Sequence, residues 1–168
     1  ESSELFQNTS WIDSLQIVKE YYNSYAATFK SMTHSVAVRG FKDHGVIGKM
    51  RETIHGVEEI LKRYKKFPLL QADMLMLRRR EKDFIIRKDK VYQTKFNNDV
   101  DVFKQHIKNS RIPEKSALID ALKNYKNEFN RVVDHSEQVG LKEHLGLLGQ
   151  LKREISKVEP RAQKLVSY

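Results

Sequence analysis

"LMLRRREKDFIIR", residues 75–87, sets three arginines, a glutamate, a lysine and an aspartate between blocks of large apolar residues. Its reading decides the fold, because these charges belong either to a solvated surface or to an interior. At 100° per residue, as in an α-helix, Leu70, Met74, Leu77, Phe84, Ile85 and Tyr92 share one face. Glu81 falls near the centre of that face, and Lys88 follows one heptad on. Arg78 borders the face, Arg80 lies on its flank, and Arg79, Asp83 and Lys90 point the other way. A carboxylate within an apolar stripe is costly unless it is paired and hydrogen-bonded. Glu81 therefore needs a cation, either Arg78 at i−3 or a residue of a neighbouring helix such as Arg51. Two roles are open. The charges form a polar clamp that fixes helix register, or they line a partly buried pocket whose arginines hold an anion. Arginine suits the second role because its planar fork grips a carboxylate bidentately.

Outward from this stretch, nothing interrupts a helix between Leu69 and about Lys108, a rod roughly 60 Å long at 1.5 Å per residue. Pro68, just before it, is read as a kink within one long pass rather than a reversal. Upstream, residues 4–39 carry helical periodicity, with Ile17, Tyr21, Tyr25, Phe29 and Met32 as one stripe and Asn8 or Ser10 as its cap. "RGFKDHG" (39–45) ends that helix, and a second runs from about Val46 to Lys66, with Ile47, Met50, Ile54, Val57 and Leu61 on one face. Downstream, Pro113 suits the start of a helix reaching about Val139. A last helix covers about Leu147 to Leu165, and Pro160 inside it predicts a kink or local break.

Two segments about a hundred residues apart resemble each other, 25–61 and 125–165. Tyr25 pairs with Tyr125, Phe29 with Phe129, Gly40 with Gly140, Lys42 with Lys142 and His44 with His144. After a one-residue insertion Gly45 pairs with Gly146, Gly48 with Gly149, Arg51 with Lys152, Ile54 with Ile155 and Glu58 with Glu159. Each copy reads as a helix–turn–helix unit whose apolar stripe is buried only when both copies meet the 69–108 helix. The fold expected is all-α: an elongated, antiparallel, four-helix-bundle-like arrangement of one domain over 1–168. The glycine turns serve as plain loops, or the helix start after each offers backbone N–H groups to an anion. Arg51 and His55 lie one turn into the helix after the first.

The composition narrows the function. The 168 residues carry a net charge of +9, with twelve Lys and Arg against four Asp and Glu between Lys62 and Lys95. Such a balance favours anionic partners. With no cysteine, disulfides, thiol catalysis and Cys-type zinc sites are excluded. Neither a metal-binding His pair nor a phosphate loop nor a nucleophile elbow is present, so no catalytic residue, metal or cofactor is expected. His44 and His144 are read as turn-capping or packing residues. No apolar run approaches the roughly 20 residues of a membrane span, and there is no signal peptide. A start at Glu1 without Met reads as a piece excised from a longer protein.

"MLMLRRREKDFIIRKDKVYQTKF" (74–96) resembles the "LRRxEKDFLLR-D-Y" signature of bacterial extracytoplasmic sensor domains of the helical bimodular type. "GVIGKMR" (45–51), with its following His55 and Glu58, and "GLLGQLK" (146–152), with Glu159, are similar to the "GLxGxLRxxVHxVE" segments of that family. The resemblance covers about 25–165. It implies a non-catalytic helical bundle of a chemoreceptor, sensor histidine kinase or membrane-tethered phosphatase, held between membrane helices, often as a homodimer, and binding small organic anions such as carboxylates. Arg51, His55, Arg78, Glu81, Lys82 and Tyr92 are the candidate ligand-binding residues. The first repeat is favoured, because the second has Ser156 where the first has His55. The competing readings are a nucleic-acid-binding helical domain, suggested by the charge, and a cytosolic helical scaffold. Against nucleic acid, the basic residues spread over several helix faces without a binding signature.

Overall fold

The computed structural model describes residues 9–166, with side chains from 12 to 163. These residues form six α-helices and no strand: α1 (Thr9–Arg39), α2 (Gly45–Lys62), α3 (Pro68–Arg87), α4 (Val91–Asn109), α5 (Lys115–Val139) and α6 (Gly146–Val166). The all-α bundle expected from the apolar periodicity is the fold found. The cap expected at Asn8 or Ser10 lies outside the described residues and side chains. The chain divides into two compact units, Glu1–Ser35 with Gln138–Tyr168, and Val36–Glu137.

The Val36–Glu137 unit is an up-down-up-down four-helix bundle. Gln71 donates to the Leu61 carbonyl while Arg78 approaches Glu58, so α3 returns along α2. Arg80 pairs with Asp99 and His106 with Asp73, so α4 returns along α3. Lys90 pairs with Glu137 and Lys126 with Asp101, so α5 returns along α4. Each helix buries apolar residues at spacings of three and four, the pattern that keeps one face inward. The layers include Met50, Ile54 and Val57 of α2, Leu70, Leu77 and Phe84 of α3, Phe96, Val100 and Phe103 of α4, and Leu118, Leu122 and Phe129 of α5.

Two expectations are corrected here. The continuous 69–108 helix does not exist: α3 stops at Arg87 and α4 starts at Val91. Lys88 takes the left-handed conformation (φ +50°) and its N–H closes the last turn on the Phe84 carbonyl at 2.7 Å. Asp89 then accepts the Val91 N–H at 2.9 Å, which opens α4. "RKDK" (87–90) contains no apolar side chain to bury, so reversing there exposes nothing greasy. Pro68, likewise, marks a reversal and not a kink. Helix α2 ends at Lys62, residues 63–67 make a turn through Tyr64 N–H to Leu61 O and Phe67 N–H to Tyr64 O, and Pro68 takes the first turn of α3. A proline there loses no hydrogen bond.

In the other unit α1 and α6 run antiparallel. Tyr21 of α1 lies under the Lys157 ammonium and the Arg161 guanidinium, while Thr28 receives a hydrogen bond from Gln150. The stripe expected on α1 is corrected: Ile17 (38 % exposed) and Phe29 (46 %) face outward, and the buried position is Thr28. The α6-facing side is centred on hydroxyls because it serves a buried carboxylate, Glu154. Helix α6 runs on through Pro160 to Val166, so of the expected kink or local break the break is absent. Tyr21 holds that turn through its two cations.

The repeat is real in structure. In both turns a glycine follows the helix in a positive-φ conformation, Gly40 at +76° and Gly140 at +125°. A Cβ added to Gly48 would meet the Asp43 carbonyl oxygen at 2.3 Å, and one added to Gly149 the His144 carbonyl oxygen at 2.1 Å. The helix start thus packs its backbone against its own turn, which only glycine permits. Burial differs between the copies, however. Tyr125, Phe129 and Ile54 are fully buried, whereas Phe29 and Ile155 are exposed. The expected burial of both stripes is met only by the residues inside the four-helix unit.

Candidate functional site

Helix α3 turns Arg78 and Glu81 toward the bundle interior, as the periodicity of 75–87 predicts. Arg78 Nη1 donates to both Glu81 oxygens, at 3.0 and 2.8 Å. The Tyr125 hydroxyl of α5 donates to Glu81 Oε2. Glu81 is only 4 % exposed and Tyr125 not at all. Burial pushes the Tyr125 phenol well above its usual pKa, and the adjoining Glu81 carboxylate adds to this, so the hydroxyl stays a donor. Burial alone lowers the pKa of Arg78, but the Glu81 charge foremost outweighs it and the net shift is upward. Aromatic rings close the surroundings: Phe96 meets Tyr125 edge-on at 5.1 Å and Phe84 meets Phe129 at 5.7 Å.

Of the candidate residues, Arg78 and Glu81 come together directly, and His55 joins them through Glu58. His55 Nδ1 lies 3.1 Å from Glu58, whose other oxygen is 3.9 Å from Arg78 Nε. The remaining three lie elsewhere. Arg51 pairs with Asp43 at 3.0 Å on the surface. Lys82 is exposed on the outer side of α3. Tyr92, half-buried in α4, is flanked by Arg87 and Lys95 at 5.9 and 5.4 Å from its ring. Lys88, expected within the apolar face beside Glu81, instead ends α3 and is exposed. His44 starts α2, but its side chain makes no capping hydrogen bond.

The Arg78–Glu81–Tyr125 cluster satisfies itself. Each Glu81 oxygen is hydrogen-bonded, and the cluster lines none of three hollows of the described surface. One, about 360 Å³, lies beside Lys66, Pro68 and His106. A second, about 340 Å³, is an apolar groove between Tyr22 and Tyr25 of α1 and Ile155 and Val158 of α6. The third, about 190 Å³, lies at the first glycine turn. Arrayed in this way, Arg78 and Glu81 fix the height of α3 against α5. Leaving either without the other would strand a charge in the interior.

Sequence reasoning missed three groups. Tyr125 occupies a core position of α5, where a hydroxyl needs an acceptor; the unpaired need of Glu81 was the signal that joined them. Glu154 of α6 accepts from Ser24 at 2.8 Å, Thr28 at 3.1 Å and Gln150 at 3.0 Å, all on Oε1. No periodicity announces it, because two of its three donors, Ser24 and Thr28, come from a helix more than a hundred residues away. Arg39, last residue of α1, has its Nε atom shut away from solvent without an acceptor among the described residues. Among the described residues no group of three His, Asp or Glu is placed to hold a metal ion, and no helix is long and apolar enough to cross a membrane. No family model, curated protein or solved structure matches the chain.

Proposed function

We propose that the chain is the extracytoplasmic ligand-sensing domain of a bacterial transmembrane receptor, and that it binds a small organic anion such as a carboxylate. The observation that carries this reading is the ion pair that residues 75–87 place inside the bundle. The segment with the sensor-family resemblance also builds the buried Arg78–Glu81–Tyr125 cluster. Such a cluster gives the α3–α5 packing a defined register, which a signalling bundle needs if a small helix displacement is to pass along it as a rigid-body motion. The anion preference draws support from the net charge of +9. A homodimer in the full receptor belongs to the same reading. Leu15, Tyr22 and Phe29, seven residues apart on α1, leave an exposed apolar line that a second helix can cover. The domain performs no catalysis itself; a kinase, phosphatase or chemotaxis output belongs to the parent protein.

Two experiments test this. The full gene should encode an apolar membrane segment on each side of the 168 residues; a parent protein with neither sinks the reading. A thermal-shift screen of small organic acids should find a binder. A ligand at 100 times its dissociation constant stabilises the fold by about 2.7 kcal/mol. Micromolar, steeply salt-dependent binding to random-sequence DNA, with no response to any acid, would establish the nucleic-acid reading instead.

A further inference from the structure

We propose that the cavity at the first glycine turn is the seat of a monocarboxylate with a compact apolar body. This rests on the reading above that the domain binds an organic anion, and it names the place and the ligand class. The cavity, of about 190 Å³, is lined by Arg39, Phe41, Ile47, Phe84, Lys88 and Val132, among others, and no acidic side chain belongs to its wall. Arg39 and Lys88 are cations without an ion-pair partner among the described residues. The buried Arg39 Nε has no acceptor, and a buried guanidinium N–H without one is destabilising. Nε itself is closed to solvent, so a carboxylate entering the cavity meets the Arg39 guanidinium through its other N–H groups, together with the Lys88 ammonium of the same wall. The remaining wall is aromatic and branched aliphatic except for Gly40 and Ser136, whose hydroxyl is already donated to the Val132 carbonyl, which suits a body with no further polar group.

Both cations also end helices, α1 and α3, where a positive charge complements the exposed carbonyls. The repeat separates that role from ligand binding. The second turn closes with the same hydrogen-bond pattern, Leu145 N–H to Lys142 O and Gly149 N–H to Leu145 O, against His44 N–H to Phe41 O and Gly48 N–H to His44 O. Yet Val139 stands there in the place of Arg39. The turn therefore forms without an arginine, and Arg39 is not required by the fold of the repeat. Size narrows the ligand. A cavity of about 150 Å³ accommodates benzene, so this one takes roughly six to nine non-hydrogen atoms, the size of a branched short-chain acid or benzoate.

Calorimetric titration of the whole chain with benzoate and isovalerate, and with benzamide as the uncharged counterpart, tests the seat. Both acids should bind and benzamide should not. Arg39→Met should weaken the acids at least tenfold and Lys88→Met several-fold, while Lys62→Met, an exposed cation at the other end of α2, leaves affinity within twofold. Because Arg39→Met removes a partly packed side chain, Ile85→Trp, at the half-open rim, is a second variant; it should block binding with the helical spectrum unchanged. The seat is overturned if neither acid binds the wild-type chain, or if they bind and both Arg39→Met and Ile85→Trp leave affinity untouched. In the second case ligand sensing survives at another site. If instead a larger or multiply charged acid from the screen binds and is insensitive to both variants, the seat again falls and the sensor reading stands.

Discussion

Glu81 shows how one residue constrains a bundle. Its carboxylate is held by Arg78 from its own helix and by Tyr125 from α5. Tyr125→Phe keeps the ring and deletes only the donor, so it should cost about 1–3 kcal/mol, read as a lower urea midpoint at unchanged slope. Arg78→Met should cost more, about 3–5 kcal/mol, because it leaves the charge buried and unpaired. Glu154 gives the pH counterpart. Burial pushes its carboxyl up, but hydrogen bonds from Gln150, Ser24 and Thr28 and the nearby Lys157 charge outweigh it, so its pKa is lowered. A lowered folded-state pKa stabilises the protein above the unfolded value, near about pH 4.3, and that contribution fades as pH falls through the folded value. Urea midpoints of wild type and Glu154→Gln should therefore differ most at neutral pH and converge in acid. A gap that stays constant down to strongly acidic pH would contradict the hydrogen-bonded ion.

At the scale of elements, the turns decide the topology, and three of them are built without glycine. The α3–α4 turn spends a lysine in the left-handed region, where an L-residue carries a penalty of about 1–2 kcal/mol. Lys88→Gly relieves it and should raise stability by about 1 kcal/mol, seen as a higher melting temperature, while weakening any carboxylate that Lys88 contacts. Opposite movements of stability and affinity in one variant would separate the backbone role of this residue from its charge. The glycine turns obey a different rule. There the helix start touches the turn carbonyl, so the space itself demands glycine at Gly48 and Gly149.

Across the molecule, core and surface are divided unevenly. The Val36–Glu137 unit contains four helices and nearly all the fully buried side chains, Leu77, Phe96, Phe103, Tyr125 and Phe129 among them. The other unit pairs two helices around a polar centre, Glu154 with Ser24 and Thr28, and leaves Tyr22, Phe29 and Ile155 exposed. A core built by its own four helices needs no other part of the chain. A fragment of residues 36–137 should therefore stay helical by circular dichroism and unfold in one cooperative urea transition. A fragment that is unfolded, or that melts gradually, would show that its stability depends on the rest of the chain.

Helix type, most helix positions, the glycine repeat and the inward turn of Glu81 with Arg78 were legible in the sequence alone. Each depends on local spacing: a 3.6-residue period selects a face, and a carboxylate on that face demands a cation, for which Arg78 one turn away was one of the candidates. The reversals at Lys88 and Pro68 were not legible. A charged left-handed lysine leaves no mark in composition, and a proline serves a kink and a first turn equally well. Nor could the sequence place Tyr125 on Glu81, Ser24 on Glu154, or Arg39 beside Lys88 at one cavity. Those residues lie tens to more than a hundred positions apart, and only the packing of helices against one another brings the first two pairs within hydrogen-bonding distance and the third to one cavity wall.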